Sequence, residues 1–110
     1  MKNRIDRVNE LIKKKIAEII FKEILIQNAL ITVQSVDTSK DLKYTRIKVS
    51  VFPFKYSEEA LKILKKQSPN LQKVLNRAIK IKFVPRIRFI LDRTEERAGR
   101  IERILRNLKN

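Results

Sequence analysis

Between Ile5 and Leu91 the spacing of the apolar residues changes period three times, and each change marks a new kind of element. From Asn3 to about Ile26, Ile5, Val8, Ile12, Ile16, Ile19, Ile20 and Ile24 fall at helical spacing and make one stripe along a long helix. Arg4, Arg7, Lys13, Lys14 and Lys22 lie largely outside it, and Gln27-Asn28 ends the period. Alternation then takes over. Ile31, Val33 and Ser35 alternate with Thr32, Gln34 and Val36, which predicts a strand from Leu30 to Val36. Thr45, Ile47, Val49 and Val51 alternate with Arg46, Lys48 and Ser50, which predicts a second strand from Lys43 to Phe52. Asp37-Thr38-Ser39-Lys40-Asp41 between them is a run of turn formers, so the two strands are expected to pair as an antiparallel hairpin. Pro53 ends the second strand because proline has no N–H for the ladder.

Helical spacing returns with Ala60, Leu61, Ile63 and Leu64, after Ser57 as expected N-cap and Glu58 and Glu59 at the positive helix end. Pro69 is costly inside a helix but suits the first position of a new one, and Ser68 before it is a good cap. The sequence therefore predicts a corner: one helix stopping near Lys66, another starting at Pro69 and buried through Leu71, Val74, Leu75, Ala78 and Ile79. A third strand opens at Val84-Pro85, with Ile87, Phe89 and Leu91 on one face and Arg86 and Arg88 on the other. Asp92 and Glu95 have the spacing of a capping box. A last helix carries Ala98, Ile101, Ile104, Leu105 and Leu108.

Each strand has one apolar face, so the helices are expected to cover a three-stranded sheet from a single side. The expected fold class is α+β, in the order α-β-β-α-(corner)-α-β-α, with a parallel, right-handed crossover between strands two and three. Thr32, Gln34, Arg46, Lys48, Arg86 and Arg88 would then form an open, basic sheet face. One domain over residues 1–110 is all the length allows.

Charge carries most of the functional information. Lys+Arg number 27 against 12 Asp+Glu, a net charge of +15, which packing does not require and which self-repulsion penalises. A polyanionic partner is expected, nucleic acid first; an anionic membrane surface or a merely basic protein are the alternatives. Without any Cys or His the chain has no disulfide, no Cys/His zinc site and no Ser–His or Cys–His nucleophile pair. Gly99 is its one glycine, so no glycine-rich phosphate loop exists either. Ser39-Lys40-Asp41 reads as a turn and not a catalytic group, since no base is positioned to activate the serine. No enzyme activity, no cofactor and no metal are expected. The charged residues 1–15 do not resemble a signal peptide and no apolar run reaches membrane-span length, which points to a soluble, cytoplasmic protein.

A set of short motifs in order resembles one family. These are Arg7-Val8, Ile31-Thr32-Val33 with Val36, Ser39-x-Asp41-Leu42, Val49-Ser50-Val51, Val84-Pro85-x-Ile87-x-Phe89-x-x-Asp92, and Arg100-Ile101. Together, from about Arg4 to Leu108, they resemble the bacterial ribosome-binding factor A family. The resemblance implies a type II KH-like domain that lacks the Gly-x-x-Gly loop, in which Gln67-Ser68-Pro69 stands where the family usually has Ala-x-Gly. It further implies a monomer that binds 16S rRNA within the free 30S subunit, assists late maturation and 5′-end processing of that RNA, and serves cold adaptation.

In KH-like domains nucleic acid lies near the helix corner, where free amides and the helix dipole favour phosphate. That places candidate RNA contacts at Lys65, Lys66 and Ser68, then along a stripe of Lys73, Arg77 and Lys80, with Lys82 extending it; Arg4 and Arg7 are further candidates. No acidic residue occurs between Lys62 and Arg88, whereas an ordinary solvated surface mixes signs. Arg93, Arg97 and Arg100 on the last helix read as a mainly structural basic rim. Phe52, Phe54 and Tyr56 around Pro53 read as cover for a core edge and not as a stacking platform. The competing function is a structural nucleic-acid protein, either a ribosomal protein or a nucleoid packer.

Overall fold

The computed structural model describes residues 3–94 and 103–108. Helix α1 (Arg4–Glu23) starts on a reciprocal cap. The Asn3 side-chain oxygen accepts the Asp6 N–H at 2.9 Å, and the Asp6 carboxylate accepts the Asn3 N–H at 3.4 Å. Its stripe buries Ile12, Ile16, Ile19 and Ile20. Strands β1 (Leu30–Thr38) and β2 (Tyr44–Phe52) pair antiparallel, and β3 (Arg86–Leu91) pairs parallel with β2, giving the order β1-β2-β3. The α+β class, the hairpin and the parallel crossover are as the sequence predicts.

β1 departs from simple alternation. A register shift between Val33 and Ser35 leaves both Gln34 and Ser35 outside, and the Gln34 amide donates to Ser50 Oγ at 2.7 Å. Strict alternation would have turned Val36 to solvent with Thr32. The bulge restores it to the core side, because burying valine outweighs one regular ladder step.

The expected corner is absent. Helix α2 runs unbroken over Ser57–Ala78 with Pro69 inside it, so Lys66 does not end a helix and Ser68 caps nothing. The reason is the phase of the buried face. Ala60, Leu64, Leu71 and Leu75, at steps of four, seven and four, form one stripe that passes Pro69 without losing register, and all four are fully buried. Burial of leucines on both sides of the proline, about 2–5 kcal/mol apiece by the cost of Leu→Ala, outweighs the roughly 3 kcal/mol penalty of an interior proline. Pro69 itself is on the exposed side, where a helix wrapping a core is convex and a weakened bond is solvated.

Ser57 is not the N-cap either. A 3₁₀ turn (Phe54–Tyr56) leads into the helix, Tyr56 occupies the cap position without a side-chain bond, and Ser57 already has helical dihedrals. Its hydroxyl is buried with no partner among the described residues.

α1 and α2 together cover one face of the sheet. Ile12, Ile16, Ile19, Ile20, Leu64, Leu71, Leu75 and Ile79 pack on Ile47, Val49, Ile87 and Phe89. One buried polar link ties α1 to the hairpin: the Thr38 hydroxyl donates to Asn9 Oδ1 at 2.5 Å, so at 2.9 Å the Thr45 hydroxyl must donate to Thr38.

Residues 103–108 are helical, but Ile104, Leu105 and Leu108 are exposed, so this part of the last helix does not cover the sheet as expected. α1 and α2 already fill that face. Glu95, Arg97, Ala98, Arg100 and Ile101 lie outside the described residues.

Candidate nucleic-acid interface

The topology sorts the molecule into two unlike ends. The Asn9–Thr38 bond sets the start of α1 beside the hairpin turn. The Arg86 N–H donates to the Lys43 carbonyl at 2.9 Å, which brings the α2–β3 loop to the same end. Arg4 and Arg7, Lys40 and Lys43, and Lys80 and Lys82 therefore belong to segments that meet there. At the opposite end, where Leu30 pairs with Phe52, exposed Phe21, Leu25, Leu30 and Phe52 form an apolar patch. There the Arg93 guanidinium holds Glu58 at 2.6 Å.

At the basic end a cleft of about 830 Å³ runs past the outer edge of β3, lined by Tyr44, Arg46, Arg86 and Arg88 of the open sheet face, by Lys65 and Ser68 of α2, and by Thr45, Ile87 and Phe89. Asp37 and Ser39 complete the polar wall. Alternation explains which of these side chains face outward. Thr45, Ile47, Ile87 and Phe89 are buried against the helices, so Tyr44, Arg46, Lys48, Arg86 and Arg88 must face the other way, and they are exposed. Register then sets Arg46 against Arg88 and Tyr44 against Arg86.

One side chain fixes the cleft's width. Ile87 N–H donates to Gln72 Oε1 at 2.9 Å, while Gln72 Nε2 donates to the Pro85 carbonyl at 3.1 Å and to Asn76 Oδ1 at 3.0 Å. The carboxamide thus pairs with the free edge of β3 as another strand would, and clamps α2 against it.

The electrostatics favour an anion. Arg46 is paired with Asp37 at 3.1 Å. Both are exposed, so the pair orients the guanidinium more than it stabilises the fold. Lys65, Arg86 and Arg88 take part in no ion pair among the described residues. At the hairpin the Ser39 hydroxyl, donating at 2.6 Å, and the Lys43 N–H hold the Asp41 carboxyl below its usual range. The Thr94 hydroxyl and N–H do the same for Asp92.

The structure brings together only some of the residues expected from the sequence. Lys65 and Ser68 line the cleft. Lys66, Lys73 and Arg77 are exposed on the outward side of α2, away from the Gln72 edge. Lys80 lies beyond the helix end at Ala78, so it does not continue a stripe with Lys73 and Arg77. It belongs instead to the α2–β3 loop with Lys82, whose Nζ is 5.6 Å from the Phe83 ring centre. Sequence reasoning passed over two exposed aromatics at this end, Tyr44 and Phe83. For Tyr44 the signal was its place one step before Arg46 in the alternation; for Phe83 it was an apolar ring between Lys82 and Arg86. Phe54 and Tyr56 are half-buried, and Phe52 is exposed at the far end.

Comparison with known proteins gives a consistent result. The profile of the family described as ribosome-binding factor A matches residues 4–105. The chain is 34% identical over 111 residues to ribosome-binding factor A of Clostridium botulinum (strain Okra / Type B1), covering 98% of this chain and 92% of that protein. The crystal structure of ribosome-binding factor A from Thermus thermophilus superposes with TM-score 0.69 at 25% identity, over 81% of this chain and 97% of that one. A Thermus thermophilus homology model fitted into a cryo-EM map of a 30S–RbfA complex superposes with TM-score 0.68 at 27% identity, over 76% and 90%.

Proposed function

Since the chain belongs to the ribosome-binding factor A family, we propose that it binds the free 30S subunit through 16S rRNA. There it assists late maturation, including processing of the RNA's 5′ end, without catalysing a step itself. The carrying observation is the cleft, where Lys65, Arg86 and Arg88, three cations without an ion pair among the described residues, converge from two elements beside Arg46. Such a cluster repels itself unless an anion fills it, and phosphate is the anion a ribosome presents. Lys65 and Ser68 make direct contacts in this reading. Lys66, Lys73, Arg77, Lys80, Lys82, Arg4 and Arg7 add the surrounding field that draws the partner in. The absence of His and Cys supports a non-catalytic role.

The test is sedimentation of a bacterial lysate expressing the tagged chain as a monomer. The protein is expected with free small subunits and absent from 70S particles and polysomes. Even distribution across all three would instead mark a structural nucleic-acid protein.

A further inference from the structure

We infer that the cleft holds an unpaired nucleotide of single-stranded RNA, with its base stacked on the ring of Tyr44. The inference rests on the ribosome-binding reading and narrows its contact to one form of RNA.

Tyr44 is the first residue of β2, is 58% exposed, and lines the cleft from the open sheet face. Its neighbours are cations: Arg86 is its register partner on β3, Arg46 follows on the same face, and Arg88 pairs with Arg46. An aromatic face among guanidinium groups is what single-strand binders use, since every base has a π-face and every nucleotide a phosphate. Net charge alone has no use for an exposed ring among those cations.

The platform is also pre-set. The Tyr44 N–H donates to Ser39 Oγ at 3.1 Å and its carbonyl accepts the Ser39 N–H at 2.8 Å. Ser39 in turn donates to Asp41, which also accepts the Lys43 N–H at 3.1 Å. Both backbone groups of Tyr44 are thereby pinned, so stacking has only the two side-chain torsions of the ring left to order. The cleft's volume of about 830 Å³ lies within the roughly 300–1,000 Å³ of small-ligand sites, room enough for a nucleotide. Inside a duplex both faces of a base are covered by its stacked neighbours, so only an unstacked base can lie on the ring.

The chain holds two tyrosines, Tyr44 and Tyr56, and no Trp, which makes the test direct. Fluorotyrosine labelling gives two fluorine NMR lines for the full chain, assigned with Tyr56→Phe. On titration with short oligoadenylate, the Tyr44 line is expected to move saturably while the Tyr56 line stays; a long RNA duplex at the same nucleotide concentration, whose exposed end faces are few, is expected to move neither. Tyr44→Leu is expected to weaken oligoadenylate binding about tenfold and Tyr44→Phe to leave it intact. A Tyr44 line that stays put at high oligoadenylate, or that moves equally with duplex, overturns the inference. Sedimentation of the same protein with isolated 30S subunits separates the two ideas. Binding to 30S with a still Tyr44 line overturns the stacking alone. No binding to 30S, with a Tyr44 line that still moves on oligoadenylate, overturns the ribosome reading alone.

Discussion

At the scale of single residues, Ser57 shows how far local rules reach. Its position before Glu58 and Glu59 has every mark of a helix cap, yet its hydroxyl is buried in the first turn of α2 without a partner among the described residues. A cap lost to alanine costs about 1 kcal/mol, whereas removing a buried unsatisfied hydroxyl gains roughly that amount. Ser57→Ala is therefore expected to raise the denaturant midpoint; a lowered midpoint would restore the cap. The Ser39–Asp41 turn, by contrast, was legible because its bonds are local, from Ser39 to Asp41 and from Lys43 to Asp41. The role of Tyr44 was not, because its surroundings are made by Arg86 and Arg88 of a distant strand. Gln72 was hidden for the same reason: nothing near it in sequence reveals that its carboxamide meets the edge of β3.

Among elements, the strands and α1 could be read from their periods, since burial on one face imposes a spacing the chain cannot disguise. Besides the exposed last helix, two features escaped. The bulge at Gln34 depends on Val36 reaching the core, and the continuity of α2 depends on a buried stripe that keeps phase across Pro69. In both, a local signal lost to tertiary burial. For α2 this yields a prediction of definite sign. With Pro69 interior, Pro69→Ala removes the clash with the preceding turn and restores an N–H, so stability is expected to rise by about 1–3 kcal/mol. Had Pro69 been the first residue of a separate helix, the same change would be neutral or unfavourable. Equilibrium unfolding of the two proteins decides between them.

For the whole molecule, the central fact is polarity. The start of α1, the hairpin turn and the α2–β3 loop all converge on one end, which gathers Arg4, Arg7, Lys40, Lys43, Lys80 and Lys82 there. Composition alone calls for a polyanionic partner; the packing of α2 beside β3 is what gathers Lys65, Arg86 and Arg88 at the proposed interface. The most direct measurement is the salt dependence of binding to isolated 30S subunits for two variants of equal charge loss. One carries Lys65, Arg86 and Arg88→Gln in the cleft; the other carries Lys66, Lys73 and Arg77→Gln on the outward face of α2. Each lost phosphate contact flattens the log–log slope by roughly 0.7–0.9. The cleft variant is expected to flatten it by about two units and to weaken binding severely, the outward variant by well under one. Equal flattening by both, or a larger effect from the outward set, would contradict a cleft-centred interface.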